Sequence, residues 1–221
     1  VFSVLIVTSR ALEDKKPGGI EAKPVDMKWN TPMGRIVILM GVGMMFSNAA
    51  EFGATDWSAL FLRDVLEITG QLYVGAYLTF ELGMIISRIL GDKYIHKYGA
   101  AKVIQLSGFL GASVWLTSMV IGVNIDHFNK PLAYVVILIG YFVAGAGVGP
   151  LFPGFITLLG STPGIDMGTA LSRAFLIAMV GVAIIPASIG FVSDATSLTI
   201  GMLIPISMLF GAGILSRIGK K

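Results

Sequence analysis

The sequence predicts an all-α membrane protein in which six transmembrane helices form a polytopic bundle. Of its 221 residues, 55% are hydrophobic and only 13% are charged, and the mean hydropathy is +0.82. Average soluble domains carry about 25% charged residues, so this composition favours a membrane protein. Glycine is abundant, at 28 residues, and it is more frequent in membrane helices than in soluble ones.

Six segments are each long and apolar enough to cross a bilayer, which requires about 20 mostly apolar residues. The spans are expected over residues 35–62, 69–90, 100–123, 132–159, 167–192 and 198–215. The sequence opens within another apolar run, so residues 1–12 are expected to end a preceding transmembrane helix. Residues 13–34 combine prolines, glycines and lysines and are expected to form a cytoplasmic linker. Residues 35–221 would then be a C-terminal six-helix transmembrane half-domain.

The basic residues predict the orientation of these helices. When the connections are numbered alternately from the linker, 14 of the 16 Lys and Arg residues fall on one side, and only Arg63 and Lys130 fall on the other. Cytoplasmic loops are enriched in Lys and Arg. The linker and the C-terminus are therefore expected in the cytoplasm, with the chain passing several times through the cytoplasmic (plasma or inner) membrane.

The fourth span is rich in glycine and proline. Gly145 and Gly149 form a small-xxx-small pair, which allows two helices to approach closely. Pro150 and Pro153 interrupt the backbone hydrogen bonds of a helix. A break in the helix is therefore expected here, and interrupted membrane helices often line a cavity or a hinge.

Two carboxylates lie inside the predicted spans. An acidic residue at the centre of a membrane helix costs roughly 2.5–3.5 kcal/mol on insertion scales, so Glu51 and Glu81 are candidate functional residues. At 1.5 Å per residue, Glu81 lies about 18 Å into its span, close to the middle of a ~30 Å hydrocarbon core. Glu51 lies about 24 Å from the cytoplasmic end, nearer the outer face. The structural alternatives are a protonated Glu81 that bonds to a neighbouring helix and a solvated Glu51.

Other polar side chains accompany these carboxylates. Asn48 lies three residues before Glu51, and Tyr77 lies four residues before Glu81, so each pair shares one helix face. A polar face on a membrane helix indicates either a cavity or a seam of hydrogen bonds between helices, and both interpretations stay open. Asp56 falls at the outer end of the first span.

Three stretches of sequence resemble the second half of a major facilitator superfamily transporter. Residues 87–102 (SRILGDKYIHKYGAAK) are similar to the Gly/Asp/basic signature between helices eight and nine of that superfamily. Residues 51–64 (EFGATDWSALFLRD) resemble the seventh helix of bacterial members near the fucose-permease-like branch, and residues 149–153 (GPLFP) resemble their tenth helix. Six spans that follow a long basic linker also match the layout of that half.

The resemblance implies that the six spans are helices seven to twelve of a twelve-helix fold, with an N-terminal six-helix half as partner. It implies a secondary active transporter that moves a small polar organic solute, sugar-like in this branch, with proton coupling and by alternating access. Glu81 and Glu51 would then be the coupling or binding carboxylates, with Asn48, Tyr77 and Asp56 as possible solute contacts. The expected partners are the solute, a coupling proton and the lipid bilayer, and no cofactor is expected.

The same resemblance implies a conformational latch at Asp92. An anion is favoured beside the N-terminus of a helix, and Arg88, Lys93 and Arg173 are the candidate basic partners. Breaking such a charge-assisted contact would shift the balance between two transport states.

Several function classes find no support in the sequence. There is no Gly-rich phosphate loop ending in Lys-Ser/Thr, no HExxH or Cys/His cluster for a metal, and no Gly-x-Ser-x-Gly elbow of a hydrolase. The basic residues are spread over loops that flank the membrane, so nucleic-acid binding is unsupported. Because none of the enzyme motifs above occurs, the chain is not expected to be an enzyme. The alternatives are a multidrug-type efflux permease, a non-transporting membrane sensor or structural protein, and a six-span homodimer.

Overall fold

A computed structural model of the chain describes residues 28–218, and within that range every regular element is helical. The α-helices are α1 (Pro32–Asp64), α2 (Gly75–Tyr98), α3 (Ala100–Ile125), α4 (Lys130–Val148), α5 (Leu151–Gly160), α6 (Met167–Ala195), α7 (Leu198–Gly201) and α8 (Leu203–Ile218). A 3-10 helix, Gly70–Val74, precedes α2. The predicted end of a preceding helix, at residues 1–12, and most of the predicted linker lie outside the described residues.

The predicted all-α bundle with six membrane spans is confirmed. Six helical segments are long and apolar enough to cross a membrane: Pro32–Asp64, Gly70–Tyr98, Ala100–Ile125, Lys130–Gly160, Met167–Ala195 and Leu198–Arg217. The fourth and sixth spans are each built from two consecutive helices, α4 with α5 and α7 with α8.

The second span is longer than the hydropathy indicated. Helix α2 continues through Tyr98, and α3 begins at Ala100, so the connection predicted between residues 90 and 100 reduces to Gly99. The backbone φ of Gly99 is 83°, a left-handed value that glycine adopts readily and that ends the helix. Asp92 and Lys93 therefore lie on a helix and not in a loop.

The fourth span is interrupted where the prolines predict it. Helix α4 ends at Val148 and α5 begins at Leu151, so the break coincides with Pro150. Pro153 does not cause a second break, because it lies in the first turn of α5, where a missing backbone N–H disrupts no helical hydrogen bond.

Side-chain caps define the start of several helices. The Thr31 hydroxyl accepts a hydrogen bond from the Gly34 N–H at 3.1 Å, at the start of α1. Asp166 caps α6 by accepting from the Thr169 N–H at 3.2 Å. The hydrogen bonds from Thr169 hold the pKa of the Asp166 carboxyl below its usual value, because they stabilise the charged form.

Helices α1 and α4 form the centre of the bundle. Helix α1 packs mainly against α6 and α8, while α4 packs mainly against α2 and α3, and α3 also contacts α8. The largest fully buried side chains include Phe61, Phe80, Trp115, Tyr141 and Phe155. The core is therefore shared by both groups of helices.

Glycines bring α2 and α4 into close contact. A Cβ atom added at Gly83 would collide with the carbonyl oxygen of Phe142, and one added at Gly145 would collide with the carbonyl oxygen of Phe80. A Cβ at Gly149 would lie only 2.8 Å from the Met84 carbonyl oxygen. The small-xxx-small packing predicted for Gly145 and Gly149 is thus confirmed, and this contact sets which face of α2 stays exposed.

Candidate functional site

Helix α2 carries two different exposed faces. Tyr77, Glu81 and Arg88 are spaced by four and seven residues, so they share a polar face. Tyr77 is 39% exposed, and the Arg88 side chain is 46% exposed. Leu78, Leu82, Ile85 and Ile89 form an apolar exposed face, which lies on average about 100° around the helix from the polar one.

An ion pair joins the polar face of α2 to α1. The Arg88 guanidinium Nη2 donates a hydrogen bond to Glu51 Oε2 at 3.0 Å. The Glu51 side chain is only 20% exposed, whereas that of Arg88 is about half exposed. At 1.5 Å per residue, Glu51 lies about 28 Å from the first residue of α1 and about 20 Å from its last. Because α1 extends to Asp64, Glu51 lies close to the middle of this helix.

Glu81 lies beside this ion pair. It is close enough to interact electrostatically with both Glu51 and Arg88, although it forms no hydrogen bond to either within the described residues. Glu81 is partly buried. Two carboxylates and one guanidinium thus lie near one another, with the guanidinium bonded to Glu51, and we refer to Glu51, Glu81 and Arg88 as the charged cluster.

The other predicted solute contacts stand apart from the charged cluster to different degrees. Tyr77 lies one turn before Glu81 on the same face. Asn48 is only 7% exposed, so it lies beneath the surface that carries Glu51. Asp56 is exposed, but it follows Glu51 by five residues and so projects about 140° around α1 from it.

The predicted latch residues are not paired with one another. Asp92 is exposed on α2 and lines a cavity of about 330 Å³ with Gly99 and Ala100, at the N-terminus of α3. Within residues 28–218 it forms no ion pair with Arg88, Lys93 or Arg173. Arg88 contacts Glu51 instead.

The remaining latch candidates lie elsewhere on the surface. Lys93 is exposed on α2. The Arg173 guanidinium lies over the ring of Trp29, with its central carbon 5.0 Å from the ring centroid. The latch interpretation therefore rests on the position of Asp92 beside the start of α3.

The Glu51–Arg88 pair is not predicted from the sequence, because the resemblance places Arg88 in the signature between helices eight and nine, at residues 87–102. One signal could have placed Arg88 beside Glu81, although not against Glu51. Arg88 lies seven residues after Glu81, which places it on the helix face of that carboxylate if the helix continues. No helix-breaking proline lies between Leu90 and Gly99.

Three curated relatives are similar to this chain. An uncharacterised transporter of Sinorhizobium fredii is 25% identical over 162 residues, which cover 73% of this chain and 40% of that protein. An uncharacterised MFS-type transporter of Yersinia pestis is 26% identical over 151 residues, covering 68% of the chain and 37% of the relative. The cis,cis-muconate transport protein of Acinetobacter baylyi is 25% identical over 186 residues, covering 80% and 41%.

These similarities define the class of protein to which the chain is related. No family model matches the sequence, and no solved structure matches it. The chain spans about two fifths of the length of the three relatives. The relatives' names and the six spans together indicate a multi-pass membrane protein related to transporters and support the resemblance to the major facilitator superfamily.

Proposed function

We propose that the chain is the C-terminal six-helix half of a secondary active transporter of the major facilitator superfamily. It would move a small polar organic solute by alternating access, with proton coupling at the charged cluster. The similarity to named transporters and the match to about two fifths of their length support this proposal. The observation that carries it is the ion pair between Glu51 and Arg88, with Glu81 alongside, inside two membrane spans.

The polar face of α2 would turn toward the partner half, because exposing it to lipid is costly. A charged side chain within the hydrocarbon region is usually directed to a protein interior or a water-filled path. The apolar face of Leu78, Leu82, Ile85 and Ile89 lies about 100° away and suits contact with lipid tails. The charged cluster would then border the route between the two halves.

The charges of the cluster suit a single exchangeable proton. With both carboxylates ionised, Glu51, Glu81 and Arg88 carry one net negative charge. A proton on Glu81 leaves the neutral Glu51–Arg88 pair, so the two halves can close over the cluster without burying a net charge. Loss of that proton on the other side of the membrane restores the charge and favours reopening.

The solute is proposed to contact the same face. A sugar-like solute, which the branch resemblance implies, would find hydrogen-bond acceptors at Glu81 and a hydroxyl at Tyr77. The half-exposed guanidinium of Arg88 favours a second candidate, an organic carboxylate, because arginine binds carboxylates through two parallel hydrogen bonds. The relative named as a cis,cis-muconate transport protein supports this second candidate.

We also propose the orientation and the latch that the sequence analysis indicated. The linker and the C-terminus would be cytoplasmic, because most of the basic residues lie at that end of the spans. Asp92 would act there as a conformational latch, since it lies beside the N-terminus of α3, where an anion is stabilised.

A proteoliposome assay tests the proposed coupling. The full-length protein would be reconstituted and supplied with fucose or cis,cis-muconate as labelled solutes under an imposed pH gradient. We expect wild-type protein to accumulate one solute only when the gradient is present. We expect Glu81→Gln to lose this accumulation but to keep exchange of solute across the membrane.

The matched control is Leu82→Gln, which places the same amide on the neighbouring apolar face. It should leave the dependence on the pH gradient intact. Unchanged gradient-driven accumulation by Glu81→Gln would contradict the coupling role of Glu81.

A further inference from the structure

A groove of about 410 Å³ opens between α2, α3 and α4, away from the charged cluster. Its walls are mostly apolar and include Ile86, Leu90, Leu106 and Phe142. Leu90 and Leu106 are 41% and 50% exposed, so the groove is open to the surface of the helices. Its apolar lining suits a hydrocarbon chain.

The mouth of the groove carries aromatic rings and ammonium groups. Tyr94 and Tyr98 line it and stack on each other, with their ring centroids 6.3 Å apart. Lys102 lines the groove, and its ammonium nitrogen lies 5.8 Å from the centroid of the Tyr98 ring. Lys97 does not line the groove but adjoins it through the same ring, at 5.0 Å from the centroid. Neither lysine forms an ion pair within residues 28–218, and no carboxylate of that range lines the groove.

The groove faces away from the polar face of α2. Ile86 and Leu90 lie about 160° around the helix from Arg88, on the opposite side. If the charged cluster turns toward the partner half, as the proposed function requires, the groove turns away from it. The direction in which the groove faces rests on the proposed function. The presence of the groove and of its lysines does not.

We infer that the groove binds an anionic phospholipid. One acyl chain would lie along Leu90 and Leu106, and the phosphate would meet the ammonium groups of Lys97 and Lys102. Tyrosine is enriched where membrane helices meet the headgroup layer. Basic pockets between membrane helices on the cytoplasmic side bind anionic headgroups, and the lysine stems can follow apolar surface while the ammonium groups reach the phosphate.

Lipid binding to the purified full-length protein tests this inference, with native mass spectrometry as the readout. We expect phosphatidylglycerol to bind in preference to phosphatidylcholine of the same chain length. Each of Lys97→Gln and Lys102→Gln should weaken phosphatidylglycerol binding about fivefold, because a basic side chain near an anionic surface contributes about 1 kcal/mol. Glycerol 3-phosphate, which has the headgroup charge but no acyl chain, should not compete at equal concentration.

Two further variants separate the groove from general surface charge. Lys93→Gln removes an exposed lysine of α2 that neither lines the groove nor lies over the Tyr98 ring, and it should leave binding unchanged. Leu106→Trp fills the groove without changing the charge, and it should reduce binding of phosphatidylglycerol.

Three results would overturn the inference: equal binding of both phospholipids, equal effects of Lys93→Gln and Lys102→Gln, or full lipid binding by Leu106→Trp. The readout requires no transport. A failure here therefore leaves the proposed transport function intact, and a failure of transport leaves this inference intact.

Discussion

The ion pair between Glu51 and Arg88 should couple α1 to α2 energetically. At an effective dielectric constant of 20, two unit charges about 4 Å apart interact by about 4 kcal/mol. The Arg88 side chain is 46% exposed and that of Glu51 is 20% exposed, so solvent screens part of this attraction. Exposed pairs contribute about 0.2–1 kcal/mol. A coupling energy of about 1–2 kcal/mol, between these limits, is therefore expected.

A double-mutant cycle measures this coupling. Glu51→Gln and Arg88→Gln would be made singly and together, and the free energy of unfolding measured in bilayer-like micelles by denaturant titration. Each single change leaves one charge without its partner, so the double variant should be about 1–2 kcal/mol more stable than the sum of the single effects predicts.

The exposed pair of Arg63 and Asp64, at 2.6 Å, is the control. It should show a coupling below about 1 kcal/mol, because both side chains are about half exposed. Effects of Glu51→Gln and Arg88→Gln that add within about 0.5 kcal/mol would refute the reasoning.

Two further predictions concern the fold that supports the cluster. Gly145→Ala should destabilise the protein by about 1–3 kcal/mol, because its Cβ would collide with the backbone of α2. Gly91→Ala should be tolerated, since its Cβ would make an ordinary 3.5 Å contact with Pro150. Equal losses of thermal stability in Gly145→Ala and Gly91→Ala would contradict the packing account. Asp166→Ala should lower the thermal unfolding temperature at neutral pH by removing the cap of α6. The folded-state pKa of Asp166 is lowered, so the stabilisation that its carboxylate gives the folded protein is present above the unfolded pKa and is lost as the pH falls through the folded pKa. The difference in unfolding temperature between wild type and Asp166→Ala should therefore vanish in acid.

Hydropathy and the Lys/Arg distribution were sufficient to predict the six spans. Hydropathy records the contrast between hydrocarbon and water, and the Lys/Arg pattern records which connections lie on the same side of the membrane; both can be read segment by segment. The end of the second span was harder to predict. Residues 91–98 are polar enough to resemble a loop, yet they continue α2 beyond its apolar part until Gly99 ends the helix.

The candidate site was predictable only in part. Glu51 and Glu81 stood out because acidic residues are rare within membrane spans. The contact between Glu51 and Arg88 depends on the register of α1 against α2. That register is a property of the packed bundle, including the close approach of Gly83 and Gly145 between α2 and α4. No local pattern in the sequence records it.

Water access to the polar face of α2 tests the central claim most directly. The chain contains no cysteine, so Glu81→Cys and Leu82→Cys can each introduce a single thiol into this half of a cysteine-free full-length protein. The account predicts that a charged, membrane-impermeant methanethiosulfonate reagent modifies the thiol of Glu81→Cys rapidly and spares that of Leu82→Cys. Faster modification of Leu82→Cys, or protection of both thiols, would show that Glu81 does not border an aqueous route.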